Sequence, residues 1–239
     1  MDIKKHIPNI LTLANLLCGC LAIVEVIQNK SIFTACILIG IALVCDFFDG
    51  FIARLLKVSS TIGKELDSLA DVVSFGVLPA FILSYVIEHH AGVTSELKYF
   101  PLLIALFSAL RLAKFNIDTR QSDSFIGLNT PANTILISSV AINLENLSSD
   151  LFTSFFQNQY FILAFVLLSS YLLVSEIPMF AFKFKHFKWK GNEVRFCFIL
   201  LAILLISIFK IVSIPWLIVI YILISIALNF QKNTLLSQK

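Results

Sequence analysis

The feature that most constrains this chain is a series of apolar runs that recurs from one end to the other. A membrane-spanning helix needs about 20 mostly apolar residues. Only 14% of the 239 residues are charged, against about 25% in an ordinary soluble domain. The sequence therefore predicts an all-α, polytopic integral membrane protein of about eight transmembrane helices. The apolar windows are residues 10–28, 32–53, 66–87, 99–115, 130–147, 158–182, 194–211 and 213–230.

Eight spans leave almost no chain for a second domain. We therefore expect residues 1–239 to form a single membrane domain. With no domain outside the membrane, the chain also offers no surface for nucleic acid, so we expect no nucleic-acid partner.

Lysine and arginine are unevenly divided between the two sides of the predicted spans. Cytoplasmic connections of membrane proteins carry an excess of these residues. Of the 18 in the chain, 15 fall in the termini and the alternate connections, while the opposite side keeps only Lys30, Lys98 and Lys210. Both termini are therefore predicted to be cytoplasmic, in a multi-pass protein of the cell membrane.

Four aspartates lie in two pairs between the second and third apolar windows, in the stretch "DFFDGFIARLLKVSSTIGKELDSLAD". On a helix, Asp46 and Asp49 share one face, and Asp67 and Asp71 share one face of the next helix. The small residues on these faces would let a bulky ligand approach the backbone. Those small residues are Gly50, Ala53 and Gly63.

Carboxylates in such a place need neutralising. Each aspartate within a membrane helix costs about 2.5–3.5 kcal/mol on insertion scales. A facing set of hard oxygen ligands suits Mg²⁺, Mn²⁺ or Ca²⁺, and a divalent cation at carboxylates points to phosphate chemistry. A solvated loop would not explain Asp46 behind "IALVC" or Asp71 ahead of "VVSFGVLPAF". An ion pathway would place the acids deeper and on more helices.

The stretch from Asp46 to Asp71 resembles the signature of the CDP-alcohol phosphatidyltransferases, D-x₂-D-G-x₂-A-R-x₈-G-x₃-D-x₃-D, at every fixed position. This resemblance implies a multi-pass enzyme that transfers a phosphatidyl group from CDP-diacylglycerol to an alcohol and releases CMP. The segments "DSLADVVSFGVLPA", "ALRLAKFN" and "GLNTPAN" resemble those of family members whose acceptor is L-serine. Glycerol 3-phosphate and an inositol phosphate are the alternative acceptors. A non-catalytic transporter, which would release no CMP, is the alternative from another class.

The resemblance also implies a role for each aspartate. Asp46, Asp49 and Asp67 would ligate a divalent cation, Mg²⁺ or Mn²⁺, as one ion or two, with Ca²⁺ as a further candidate for the site. Asp71 would be a ligand of a second metal, the general base that takes the acceptor's hydroxyl proton, or both.

Two further groups of residues are expected to bind the substrates. The resemblance implies contacts to the CDP-lipid from Gly50, Ala53, Arg54 and Gly63, and the stretch "PNILT", which also resembles the family, adds Asn9 and Thr12 as candidates. The serine carboxylate would be held by Arg111, Lys114 and Asn116, whose alternative role is positive charge at the end of a span. Membrane lipids and a second copy of the chain, as a homodimer, are the other expected partners.

Overall fold

The computed structural model describes residues 6–58, 60–90, 96–118, 120, 125–146, 155–156, 158–180 and 188–237. These residues are mostly helical, which confirms the all-α membrane class. The helices are α1 (His6–Val24), α2 (Ile32–Leu56), α3 (Thr61–Val72), α4 (Leu78–His90), α5 (Leu102–Ile117), α6 (Thr130–Asn146), α7 (Gln159–Val174), α8 (Glu193–Phe209) and α9 (Ile214–Ser237).

Short turns of other helical types extend or join several of these helices. A π-helical turn, Glu25–Asn29, continues α1, and a second, Val73–Val77, joins α3 to α4. The 3₁₀ turns Leu97–Tyr99 and Lys210–Ser213 lie before α5 and between α8 and α9.

Five helical stretches among the described residues are long and apolar enough to cross a membrane. Helices α6 and α7, with 17 and 16 residues, are shorter than these. Each of the eight apolar windows overlaps a helix, but crossing by all eight stays a prediction. The five stretches are His6–Asn29, Ile32–Leu56, Thr61–His89, Leu97–Ile117 and Glu193–Gln231.

The chain reverses sharply between α2 and α3. Lys57 ends α2 in the left-handed conformation, with φ of 53°, and the Ser60 hydroxyl caps α3 by accepting a hydrogen bond from the Gly63 amide at 2.9 Å. A serine at this position satisfies one of the free amides at a helix start. The reversal brings the end of α2, with the first aspartate pair, beside α3, with the second.

Small residues allow the helices to approach closely around the second aspartate pair. A Cβ atom on Gly19 of α1 would lie 2.9 Å from the Cα of Ser74, and one on Gly76 would lie 2.9 Å from the Cβ of Ser108. Small residues at helix contacts are typical of membrane proteins, where close backbone packing drives association. The turn that follows Asp71 is therefore held tightly between α1 and α5.

The π-helical turn Val73–Val77 breaks the regular hydrogen bonding directly after Asp71. Such turns in α-helices are frequent at functional sites. Here the Thr134 hydroxyl of α6 donates to the carbonyl oxygen of Phe75 at 2.9 Å, and the Ser74 hydroxyl donates to the carbonyl oxygen of Asn15 at 3.0 Å. These bonds fix the turn to α6 and α1.

The apolar window at residues 158–182 is helical only as far as Val174. The following segment is extended and forms strand β2 (Pro178–Met179), which pairs antiparallel with β1 (Phe125–Ile126). Pro178 lacks an amide hydrogen and cannot continue a helix. The helix is therefore shorter than the apolar window that contains it.

Candidate active site

Three of the four aspartates converge between α2 and α3. Asp46, Asp49 and Asp67 each offer one carboxylate oxygen, and these oxygens lie within 4.8 Å of one another. The first two residues belong to α2 and the third to α3, so the reversal between the helices creates the cluster.

The donor set fits a divalent cation. Carboxylate oxygens are the hard ligands that Mg²⁺, Mn²⁺ and Ca²⁺ prefer. One of them, Oδ1 of Asp67, is buried and has no hydrogen-bond partner among the described residues. A buried carboxylate oxygen without a partner is costly, and a cation would satisfy it.

Asp49 is oriented by a residue of α1. The Thr12 hydroxyl lies 2.6 Å from Oδ2 of Asp49 and can donate to it, and both residues are buried. A hydrogen bond to an ionised carboxylate is stronger than one between neutral groups. Thr12 was expected to contact the nucleotide, whereas in the structure it contacts a carboxylate of the cluster.

Asp71 lies one turn beyond Asp67, and it contacts the Asp46 side chain as well as partners outside the cluster. The side-chain amide of Asn15 donates to Oδ1 of Asp71 at 3.2 Å, and Asn15 is fully buried. The Arg111 guanidinium is close enough to interact electrostatically with Asp71. Asp71 is not one of the three residues whose oxygens converge.

Asn15 was not among the site residues predicted from the sequence. A usable signal was present, because Asn15 follows Thr12 by three residues and so shares its face of an apolar helix. Polar side chains inside membrane segments are costly and commonly functional.

A cleft of about 250 Å³ opens beside the three carboxylates. Its walls come from the start of α1, the end of α2 and the start of α3. Five of the six residues expected to bind the CDP-lipid line it, together with Lys64 and Ser60. These five are Asn9, Thr12, Gly50, Ala53 and Gly63.

Gly63 is closely surrounded in this cleft. A Cβ atom there would lie 2.9 Å from the Ser60 hydroxyl oxygen and 3.0 Å from Oδ1 of Asn9. Arg54 does not line the cleft. Its guanidinium lies over Gly50, where a Cβ atom would be 3.4 Å from a guanidinium nitrogen.

A second cavity, of about 360 Å³, lies between the ends of α5 and α7. Arg111 and Lys114 both line it, as expected for a shared binding site. Arg111 is buried and its guanidinium lies 5.8 Å from the centre of the Phe115 ring. Asp118, Arg120 and Glu176, which were not predicted as site residues, also line this cavity.

Arg120 bridges two acidic residues in the second cavity. Its guanidinium lies 2.9 Å from the Asp118 carboxylate and 3.3 Å from the Glu176 carboxylate. The hydrogen bond and charge of Asp118, followed by the charge of Glu176, raise the pKa of Arg120. Arg111 and Lys114 also line this cavity, and among the described residues neither forms an ion pair.

Asn116 is not part of the second cavity. The side-chain amide of Asn116 donates to the Ser68 hydroxyl at 2.8 Å, and its backbone carbonyl oxygen accepts from the Lys64 ammonium at 2.9 Å. On a helix, Asn116 points away from the face that carries Arg111 and Lys114. The structure therefore does not bring the three expected acceptor residues together.

Tyr221 of α9 brings the C-terminal helices to this region. It is buried, close enough to Arg111 to interact electrostatically, and donates a hydrogen bond to the carbonyl oxygen of Phe180 at 3.0 Å. In a helix that is apolar on all sides, the sequence offered no pattern that distinguished this tyrosine.

Comparison with known proteins agrees with the signature. The sequence model of the family described as CDP-alcohol phosphatidyltransferase matches residues 5–171, well over half of the chain. This chain belongs to the CDP-alcohol phosphatidyltransferase family, and the family expected from the stretch Asp46 to Asp71 is confirmed.

The relatives that resemble this chain have names that specify serine as the acceptor. A CDP-diacylglycerol–serine O-phosphatidyltransferase of Helicobacter pylori (strain J99) is 31% identical over 234 residues, which cover 95% of each chain. One of the same name from Bacillus subtilis (strain 168) is 34% identical over 194 residues, or 79% of this chain and 95% of the relative. An archaetidylserine synthase of Methanothermobacter thermautotrophicus is 36% identical over 139 residues, 56% of each chain.

Proposed function

We propose that this protein transfers the phosphatidyl group of CDP-diacylglycerol to L-serine, giving phosphatidylserine and CMP for phospholipid synthesis. The observation that carries this proposal is the cluster of Asp46, Asp49 and Asp67, whose oxygens lie within 4.8 Å of one another. The cluster adjoins a cleft built from the other signature residues. The names of the relatives favour serine as the acceptor.

The three clustered carboxylates would hold Mg²⁺ or Mn²⁺, as one ion or two. When bound, the cation neutralises the diphosphate of the donor and makes CMP a better leaving group. Thr12 holds Asp49 in place by its hydrogen bond to Oδ2. Gly50 and Gly63 leave the cleft open for the nucleotide, and the Arg54 guanidinium, beside Gly50, would contact the diphosphate.

Asp71 is the residue that we assign to proton transfer. It takes the proton of the serine hydroxyl as the serine oxygen attacks the phosphorus that bears the diacylglycerol. A new oxygen–phosphorus bond forms, the bond from that phosphorus to CMP breaks, and CMP leaves with the electron pair. Asn15 orients Asp71 through its hydrogen bond to Oδ1.

Arg111 and Lys114 are the residues that we assign to the serine carboxylate. Both line the second cavity, and Arg111 also lies within electrostatic range of Asp71. An arginine can bind a carboxylate through two parallel hydrogen bonds. A serine held there would have its carboxylate near Arg111 and its hydroxyl directed towards Asp71.

Release of CMP tests the reaction and the acceptor together. Purified protein in detergent is given CDP-diacylglycerol, Mg²⁺ or Mn²⁺, and one of three acceptors: L-serine, glycerol 3-phosphate or an inositol phosphate. We expect CMP with serine and a divalent cation, and none in excess EDTA. Release with a phosphorylated acceptor alone would reassign the substrate, and no release with any acceptor would favour the transporter. Undiminished release in EDTA would remove the metal from the proposal.

We also propose that the protein crosses the cell membrane eight times with both termini and the active site on the cytoplasmic side. The distribution of lysine and arginine supports this orientation. In a variant without native cysteines, a single cysteine at Gln28 should react with an impermeant thiol reagent added to whole cells. One at Lys190 should react only after lysis. The opposite pattern would reverse the orientation.

A further inference from the structure

A third cavity lies at the end of the helices opposite the aspartates. Its volume is about 540 Å³, larger than that of the cleft beside the carboxylates. Val26, in the turn that continues α1, lines this cavity, whereas Thr12 lines the cleft. Fourteen residues of helix separate the two, a distance of about 21 Å at 1.5 Å per residue. The cavity is therefore separate from the proposed active site.

Two of the three cations assigned to this side of the membrane converge on the cavity. Lys30 and Lys98 both line it, although they are far apart in the sequence. The Lys98 ammonium forms an ion pair of 2.9 Å with Glu88, and Lys30 is close enough to interact electrostatically with Glu88. No ion pair of the Lys30 ammonium occurs within the described part of the chain. The two lysines and Glu88 together give the cavity a net charge of +1.

The polar end of the cavity is held in place by hydrogen bonds and ring packing. Lys30 has a left-handed backbone, with φ of 54°, and its carbonyl oxygen accepts from the Tyr85 hydroxyl at 3.4 Å. The Tyr85 ring stacks on His89 with centroids 4.0 Å apart. The Lys98 ammonium lies 5.5 Å from the centre of the Tyr99 ring. The Tyr85 hydrogen bond joins the end of α4 to the end of α1, and the Lys98–Glu88 ion pair joins the turn before α5 to α4.

The cavity also has an apolar wall, formed by Val26, Ile27, Phe81 and Leu102. A site for a free inorganic anion needs cationic side chains, but it does not need apolar side chains. A phospholipid needs both, because its phosphate is charged and its acyl chains are apolar. Lysines near a membrane surface attract anionic lipids, each by about fivefold in affinity.

We propose that this cavity binds an anionic phospholipid, with its headgroup phosphate between Lys30 and Lys98 and an acyl chain against Val26, Phe81 and Leu102. The bound lipid would join α1, α4 and the turn before α5. This site is independent of the proposed reaction, since it lies at the other end of the bundle.

Native mass spectrometry of delipidated protein provides the test. We add phosphatidylglycerol, phosphatidylcholine, or phosphatidylglycerol with an excess of inorganic phosphate. One molecule of phosphatidylglycerol should bind per protein, with an affinity at least about fivefold higher than that of phosphatidylcholine. Inorganic phosphate should not displace it. Equal binding of the two lipids would overturn the proposal, and full displacement by inorganic phosphate would show a free-anion site instead.

Lys210 provides a matched control, because it is exposed, is assigned to the same side and lies outside the cavity. Lys30→Gln and Lys98→Gln should each weaken phosphatidylglycerol binding about fivefold, while Lys210→Gln should have no effect. Lys30→Arg should restore binding, and lipid-free Lys30→Gln should unfold at the same temperature as the parent protein. An equal loss in Lys210→Gln, or no loss in either cavity variant, would contradict the site.

Discussion

The stretches Thr61–His89 and Glu193–Gln231 are both apolar enough to cross a membrane, but the structure uses them differently. In the first, 67% of the most apolar window is buried by the rest of the protein, against 11% in the second. The second stretch is the more apolar of the two. The more apolar stretch can be the less buried one in a membrane, because lipid solvates apolar side chains as well as other helices do.

The difference shows that the hydrophobicity of a stretch does not by itself decide its burial in this protein. Asp71, Ser74 and Gly76 are buried in the first stretch, whereas α8 has no buried residue. The C-terminal helices contact the rest of the described chain mainly through α9, where the Phe180 amide donates to the Ser225 hydroxyl at 3.4 Å. Substitutions in the two regions should therefore have very different effects.

The largest effect is expected for Asp49→Asn in α2. Asp49 is the buried member of the three-carboxylate cluster, so its loss should remove both binding of the CDP-lipid and turnover. We expect CMP release to fall by more than about 10³-fold, the upper range for one electrostatic group. Glu193→Gln in α8 makes the same change from carboxylate to amide in an exposed residue. It should leave both CDP-lipid binding and turnover unchanged. Calorimetry with CDP and a CMP assay measure the two quantities, and retained CDP binding in Asp49→Asn would argue against its role as a ligand.

Asp71→Asn should separate binding from chemistry. Because Asp71 lies outside the converging carboxylates, we expect CDP binding to be kept while turnover falls by about 10²–10⁴-fold, the usual contribution of general acid–base catalysis. The same two assays apply. If binding is lost as completely as in Asp49→Asn, then Asp71 is chiefly a metal ligand and another group is the base.

Asn15→Ala should have an intermediate effect. Asn15 holds Asp71 through one hydrogen bond of 3.2 Å, and its loss should lower kcat by about tenfold, equivalent to about 1.4 kcal/mol. The KM for CDP-diacylglycerol should stay the same, because Asn15 does not line the cleft. Ser207→Ala in α8 is the control. A change confined to KM, or to thermal stability, would show that Asn15 does not position Asp71.

Gly63→Ala should weaken donor binding by a smaller factor. The added Cβ atom would lie about 3 Å from side-chain oxygens of Ser60 and Asn9, which can shift, so we expect the KM for CDP-diacylglycerol to rise about fivefold at a cost near 1 kcal/mol. Gly40→Ala is the matched control, since no atom lies within 4 Å of its added Cβ. Similar KM values in the two variants would mean that the nucleotide does not approach Gly63.

The smallest effect is expected for Leu204→Ala in α8. Its side chain is 55% exposed, whereas Ile137 of α6 is fully buried. Truncation of Ile137 should lower the free energy of unfolding by about 2–5 kcal/mol, while Leu204→Ala should change it by less than about 0.5 kcal/mol. Thermal unfolding in detergent compares the two. Equal destabilisation would indicate that α8 packs against a protein surface.

The sequence by itself determined the membrane class, the family and the four aspartates. These depend on local properties: the length of an apolar run decides whether a helix can cross a bilayer, and spacings of three and four residues place side chains on one face. Asp46 and Asp49 could therefore be paired from the sequence, as could Asp67 and Asp71.

Only the tertiary structure decided how those faces meet. It brought Asp67 to the α2 pair, and it placed Asp71 beside Asp46 and Asn15, within electrostatic range of Arg111. It also turned Asn116 towards α3, away from the cavity that Arg111 lines. These relations join residues of different helices, and they depend on where small residues permit close packing and where π-helical turns rotate the chain. Helical periodicity repeats within one helix and carries no information about its rotation relative to the next.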